Sequence, residues 1–180
     1  MITYSPSRFE KPPHVLDVPS AWKGLEWIIR DIFITFGLKG ERALEFGVEF
    51  GYSIVALSNY FKEIVGVDTF KGDIHAGTSV EGLYEAVKEA VPKNVRLIES
   101  DYKDYKDDTI YELIHVDIVH TYEDTFACGD WALNHSKLVL FHDTESFPDV
   151  KKAVDDLAEK HNAVFYNYPH NNGLGILWKD

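Results

Sequence analysis

Apolar positions follow two alternating rhythms along the chain. Short apolar runs predict strands over 41–46, 63–68, 94–99, 111–117, 137–142, 163–168 and 174–179. Stretches with helical spacing lie between them, over 20–37, 51–61, 79–91, 121–135 and 149–161. In the first of these, Leu25, Ile28, Ile29, Ile32, Phe33 and Phe36 keep the i, i+3, i+4, i+7 spacing, and Gly37 supplies a C-terminal cap. Thr78 and Glu81 form a capping-box pair ahead of the 79–91 helix, which Pro92 stops. Strands alternating with helices predict an α/β fold with a parallel sheet. Only Pro169–Gly173 joins the last two strands, so these pair antiparallel. Residues 1–19 carry Pro6, Pro12, Pro13 and Pro19 and read as an irregular N-terminal arm, either a lid over a ligand or a surface strap or oligomer contact. Residues 20–180 read as a single domain.

Composition narrows the function. The net charge of −12 disfavours nucleic acid as a partner, because phosphate contact needs clustered Lys and Arg. The single cysteine, Cys128, excludes an intrachain disulfide and a cysteine-rich zinc site. No apolar segment follows a basic N-terminus, and Arg30 and Asp31 interrupt the most apolar helix. The expectation is therefore no membrane association and a cytoplasmic protein. A homo-oligomer stays open.

The chemistry gathers around Ala43-Leu44-Glu45-Phe46-Gly47-Val48-Glu49-Phe50-Gly51-Tyr52-Ser53. A strand here ends in a turn with two glycines, and Ser53 opens a helical run. Glycine allows the backbone to approach a ligand closely. The phosphate-binding patterns G-x-G-x-x-G and G-x-x-x-x-G-K-[ST] are missing. Glu45 and Glu49 would repel a pyrophosphate, so the turn suits a cationic, amino-acid-bearing cofactor. Asp68 ends the next strand, where a doubly wound fold uses an acid for ribose hydroxyls.

These residues resemble the first motifs of the class I S-adenosylmethionine-dependent methyltransferases. The segments Ile114–Glu123 and Leu138–Thr144, with His120, Tyr122 and His142-Asp143-Thr144, resemble one subgroup, the macrocin-O-methyltransferase and cephalosporin-hydroxylase-like proteins of methyltransferase domain family 24 type. Two departures stand out: Ile118 replaces a usual glycine, and Asn134–Lys137 replaces a Pro-Gly-Gly turn. The resemblance implies a Rossmann-like doubly wound seven-stranded sheet, order 3-2-1-4-5-7-6, with the seventh strand antiparallel. It implies S-adenosylmethionine as cofactor, with Glu45, Gly47, Gly51, Ser53, Asp68, Asp101 and Asp117 around it. Asp101 would meet the adenine amino group. It also implies Mg²⁺ on Asp117 and Asp143 with His142 beside them.

Asp117, His120 and His142 are the candidate catalytic residues, the imidazoles as general bases. His75, His115, His135, His161 and His170 read as structural or surface residues. Phe70, His75, Tyr122 and Phe147 lie near enough to the strand ends to line an acceptor cleft. The implied activity is O-methylation of a small-molecule hydroxyl. The alternatives are another activity on the same fold and a non-catalytic binding protein.

Overall fold

The computed structural model describes residues 1–72 and 80–179. Eight strands form one sheet: Ile2–Thr3 (β1), Arg42–Phe46 (β2), Glu63–Asp68 (β3), Val95–Glu99 (β4), Leu113–Val116 (β5), Leu138–His142 (β6), Val164–Tyr168 (β7) and Leu174–Trp178 (β8). The helices are Ile29–Thr35 (α1), Tyr52–Ser58 (α2), Leu83–Ala90 (α3), Tyr122–His135 (α4) and Pro148–His161 (α5), and a 3₁₀ turn, Leu25–Ile28, precedes α1.

The sheet order is β1-β7-β8-β6-β5-β2-β3-β4. Taken from the β4 edge, the seven expected strands keep the order 3-2-1-4-5-7-6, and β8 runs antiparallel to β6 and β7. The seven-strand expectation is corrected by β1, which pairs parallel with β7. A two-residue strand has no periodicity to read. It is held from outside its own sequence: the Tyr4 hydroxyl and the Ser7 hydroxyl both donate to the buried Asp31 carboxylate, at 2.7 and 2.8 Å.

The expected helix over 20–37 is also shortened. Gly24 takes φ +103° and gives its N–H to the Glu26 carboxylate at 2.5 Å, so the backbone turns before it can wind. The far end behaves as expected: Leu38 N–H reaches the Phe33 carbonyl at 3.0 Å around a left-handed Gly37, which closes the helix. Thr78 of the capping-box pair lies outside the described residues, and α3 begins only at Leu83.

Both faces of the sheet are covered, which is why its central strands read as continuous apolar runs. Ala43, Ile64, Leu113 and Leu140 face the layer that holds α1, α2 and α3. Leu44, Phe46, Val65, Ile114, Val116 and Phe141 face residues of α4 and α5. The parallel strands β2, β3, β5 and β6 all bring their C-terminal ends to one edge of this sandwich.

Candidate active site

The turn after β2 is shaped by the strand beside it. Asp68 ends β3 and accepts N–H bonds from Val48 at 2.7 Å and Glu49 at 2.8 Å on one oxygen, and from Phe70 at 2.7 Å on the other. A carboxylate gripping backbone donors pins this turn more firmly than glycine alone would. Gly47, at φ +86°, has no alternative: a Cβ there would lie 1.6 Å from the Asp117 carbonyl oxygen. The glycine turn after β2 and the loop after β5 are thus in backbone contact.

Glu45 lies behind the turn. Register pairs Glu45 on β2 with His115 on β5, so the two side chains share a face, and both are fully buried. His115 Nδ1 is 3.0 Å from one Glu45 oxygen, and the Ser53 hydroxyl donates to the other at 2.8 Å. Trp22 Nε1–H donates to His115 Nε2 at 3.2 Å. Burial pushes the Glu45 carboxyl up, against the pull of His115 and Ser53.

A second group of acids and imidazoles stands at the ends of β5 and β6. His142 Nδ1 is 3.1 Å from an oxygen of Asp117 and 3.1 Å from one of Asp143. His120 Nε2 is 2.8 Å from Asp143 and 3.7 Å from Asp117. The His120 ring stacks on Phe147, centroids 4.1 Å apart and planes 9° from parallel. Asp143 holds a left-handed backbone, φ +65°, just past β6; Asp tolerates this better than most residues.

Charges in this group are strongly coupled. Burial opposes the charged imidazoles, but hydrogen bonds to Asp117 and Asp143 and their negative charge prevail, and lift His120 to about 9 and His142 to about 10. Burial likewise works against the two carboxylates. Imidazolium charge and hydrogen bonds prevail there too, and hold Asp117 and Asp143 below the usual carboxylate range. Two acids and two imidazoliums thus neutralise one another at neutral pH. In the ion-free chain both imidazoles therefore favour the protonated form, and either serves as a base or a ligand only after giving up that proton.

A cavity of about 480 Å³ joins these parts, a size that suits a small-molecule ligand. Of the expected cofactor residues, Gly47, Ser53, Asp68, Asp101 and Asp117 line it. Glu45 does not line it, because Ser53 stands between. Gly51 turns toward Val87 and Leu16 instead. His120, His142 and Asp143 complete the opposite wall. Phe70 and Phe147 line the cavity as expected, whereas the Tyr122 hydroxyl is turned to Asp156 at 2.8 Å. His75 lies outside the described residues.

Among the described residues, the set whose donor atoms converge closely enough for an ion is Asp117, His120 and Asp143. His142, expected beside the ion, is not in that set; its Nδ1 lies 3.1 Å from both carboxylates. His120 Nε2 lies 2.8 Å from Asp143 and 3.7 Å from Asp117, close enough for one ion to be held by all three.

Two residues of the site escape a reading by spacing. Trp22 sits in the arm-to-helix junction, far from any motif. His115 left a weak signal: a histidine within the wholly buried strand Leu113–Val116 must find a hydrogen-bond partner.

Comparison with known proteins agrees with this architecture. A family model described as a methyltransferase domain matches residues 44–144. The chain is 32% identical over 184 residues to the uncharacterized protein y4gI of Sinorhizobium fredii (strain NBRC 101917 / NGR234). That match covers 92% of the chain and 20% of y4gI, so the chain spans about a fifth of the length of this curated relative. The S-adenosylmethionine-bound CalS10, an amino pentose methyltransferase from Micromonospora echinaspora, superposes with a TM-score of 0.68 at 9% identity, covering 89% of this chain and 92% of that one. The S-adenosylhomocysteine-bound methyltransferase PaMTH1 of Podospora anserina gives 0.59 at 20% identity, over 83% and 76%. At these identities the likeness is one of fold. With the motif match running from β2 through the Asp143 strand end, the chain belongs to the methyltransferase-domain family and has the Rossmann-like fold of class I S-adenosylmethionine-dependent methyltransferases.

Proposed function

We propose that this chain binds S-adenosylmethionine and transfers its methyl group to the hydroxyl of a small molecule. One observation carries the reading: a single open cavity has the acid-braced glycine turn on one wall and the Asp117–His120–His142–Asp143 group on the other. A degenerate relative would have filled this hollow with its own side chains. Asp68 and Asp101 suit the adenosine half of the cofactor. The acidic surroundings suit its sulfonium.

Methyl transfer needs the acceptor oxygen in line with the sulfonium carbon, and holding two reactants so is the chief contribution this chain can make. Asp117, His120 and Asp143 would hold a divalent cation, which supplies Lewis acidity toward a bound hydroxyl. His142 orients both carboxylates, and Phe147 fixes the plane of the His120 ring. An imidazole among the ligands makes the set a mixed nitrogen–oxygen one, which suits Mn²⁺, Fe²⁺ or Zn²⁺ better than the all-oxygen preference of Mg²⁺.

The test is a set of small hydroxyl acceptors incubated with methyl-labelled S-adenosylmethionine, with and without divalent ions, after cofactor binding has been measured separately. Methylation of one acceptor, lost in Asp117→Asn with cofactor binding retained, supports the reading. Tight cofactor binding with no transfer to any hydroxyl, amine or thiol would point to another activity on the same fold.

A further inference from the structure

Trp22, His115, Glu45 and Ser53 form a hydrogen-bonded row whose two ends, Trp22 and Ser53, both line the cavity while its middle is wholly buried. The direction of each bond is set from one end. An indole N–H can only donate. His115 Nε2 must therefore present a lone pair to Trp22, which leaves the imidazole proton on Nδ1, aimed at Glu45. Glu45 receives this donor on one oxygen and the Ser53 proton on the other; this pairing favours the carboxylate form and opposes the burial that pushes the carboxyl up. Ser53, with its proton turned inward, shows the cavity only lone pairs.

We propose that Trp22 is a positioning residue for the amino-acid end of the cofactor: its N–H fixes the His115 tautomer, keeps Glu45 an acceptor on both oxygens, and so makes Ser53 a hydrogen-bond acceptor for a ligand ammonium. The inference rests on the reading of this cavity as an S-adenosylmethionine site. It also gives the N-terminal segment a part in that site. Residues 20–24 are tied down around Trp22, whose own N–H reaches the Ser20 hydroxyl at 3.1 Å, while the Lys23 carbonyl accepts from Asn171 at 2.9 Å. Loss of the indole N–H frees His115 to move its proton to Nε2. A lone pair on Nδ1 would then oppose the Glu45 carboxylate, and the direction imposed on Ser53 would be lost.

Two ligands separate this role from a merely structural one. S-adenosylhomocysteine carries the ammonium; 5′-deoxy-5′-methylthioadenosine shares the nucleoside but lacks the amino-acid end. Calorimetry on the full chain should show Trp22→Phe weakening S-adenosylhomocysteine about tenfold, the scale of one hydrogen bond to a charged group, with methylthioadenosine affinity within a factor of two. Ser53→Ala should give the same selective loss, and the double variant no more than either single one. Where Trp22→Phe does not fold, 3-benzothienylalanine at position 22 removes the N–H and keeps the ring shape. Equal weakening of both ligands, or unchanged S-adenosylhomocysteine binding, overturns the inference. Failure of the unaltered protein to bind either ligand would instead remove the cofactor reading on which it stands.

Discussion

Two acid–imidazole groups serve the two sides of the cavity, one behind the glycine turn and one at its wall, and they differ in almost everything except composition. Glu45 with His115 is sealed on the α1–α3 face of the sheet, and each polar atom meets one partner in a row. Asp117, His120, His142 and Asp143 stand at the strand ends against the cavity, with two carboxylates shared among two imidazoles. Here His142 Nε2 is buried without a hydrogen-bond partner among the described residues. A closed row of bonds supports a structure. A crowded group of shared charges beside a cavity is suited to rearranging when a ligand enters. Position relative to the strand ends, more than residue type, separates the two roles.

The contrast can be broken most severely where the two halves touch. Gly47→Ala drives a Cβ onto the Asp117 carbonyl and forces a left-handed backbone on alanine. S-adenosylhomocysteine binding should fall by at least about a hundredfold, with a clear drop in melting temperature, because the clash is with backbone that cannot step aside. Binding and melting within error of the unaltered protein would refute the described turn.

Next come the two groups themselves. Asp117→Asn should lower methyl transfer by about 10²–10³-fold while the melting temperature stays within a few degrees, because catalytic groups commonly carry that much. His115→Ala acts first on stability. It leaves Glu45 buried with a lost partner, which costs about 3 kcal/mol and lowers melting by roughly 6–12 °C in a chain of this size. Thermal scans paired with single-turnover rates check both. A His115 variant that melts normally would show that the sealed row is not a structural support.

The smallest effect is in pH. His120 and His142, raised to about 9 and 10, stabilise the folded ion-free chain fully below their ordinary value near 6.5. That contribution is lost as pH rises through 9 to 10. Melting with a chelator present should therefore decline by a few degrees from pH 6.5 to 10, and His120→Gln should flatten the slope. The lowered carboxyls of Asp117 and Asp143 act at the other end, their stabilisation being lost as pH falls below the usual carboxylate range.

Much of this was legible from residues alone. The apolar runs located the strands, and the Gly47–Asp68–Asp117–Asp143 spacing located the cavity wall, because strand ends in such sheets converge on one edge. What escaped detection had non-local causes. Glu45 meets His115 through strand register across 70 positions, which no local pattern encodes. β1 exists because Tyr4 and Ser7 find Asp31. His120, rather than the expected His142, joins Asp117 and Asp143 in the set that could hold an ion, because the left-handed turn at Asp143 brings its carboxylate 2.8 Å from His120. In each case a distant contact decided what a short window could not.

The ion ligands offer a spectroscopic check on that set. Pulsed EPR of the Mn²⁺-loaded chain should show coupling to an imidazole nitrogen that survives His142→Gln and vanishes in His120→Gln. Survival in both variants would remove His120 from the set.

The account turns most directly on calorimetric titration of S-adenosylhomocysteine into the purified chain and into Asp68→Ala. It predicts one saturable site per chain at micromolar ligand, weakened at least about tenfold when the brace of the turn is removed. Heats no larger than dilution up to millimolar ligand, or an Asp68→Ala isotherm identical to that of the unaltered chain, would contradict it.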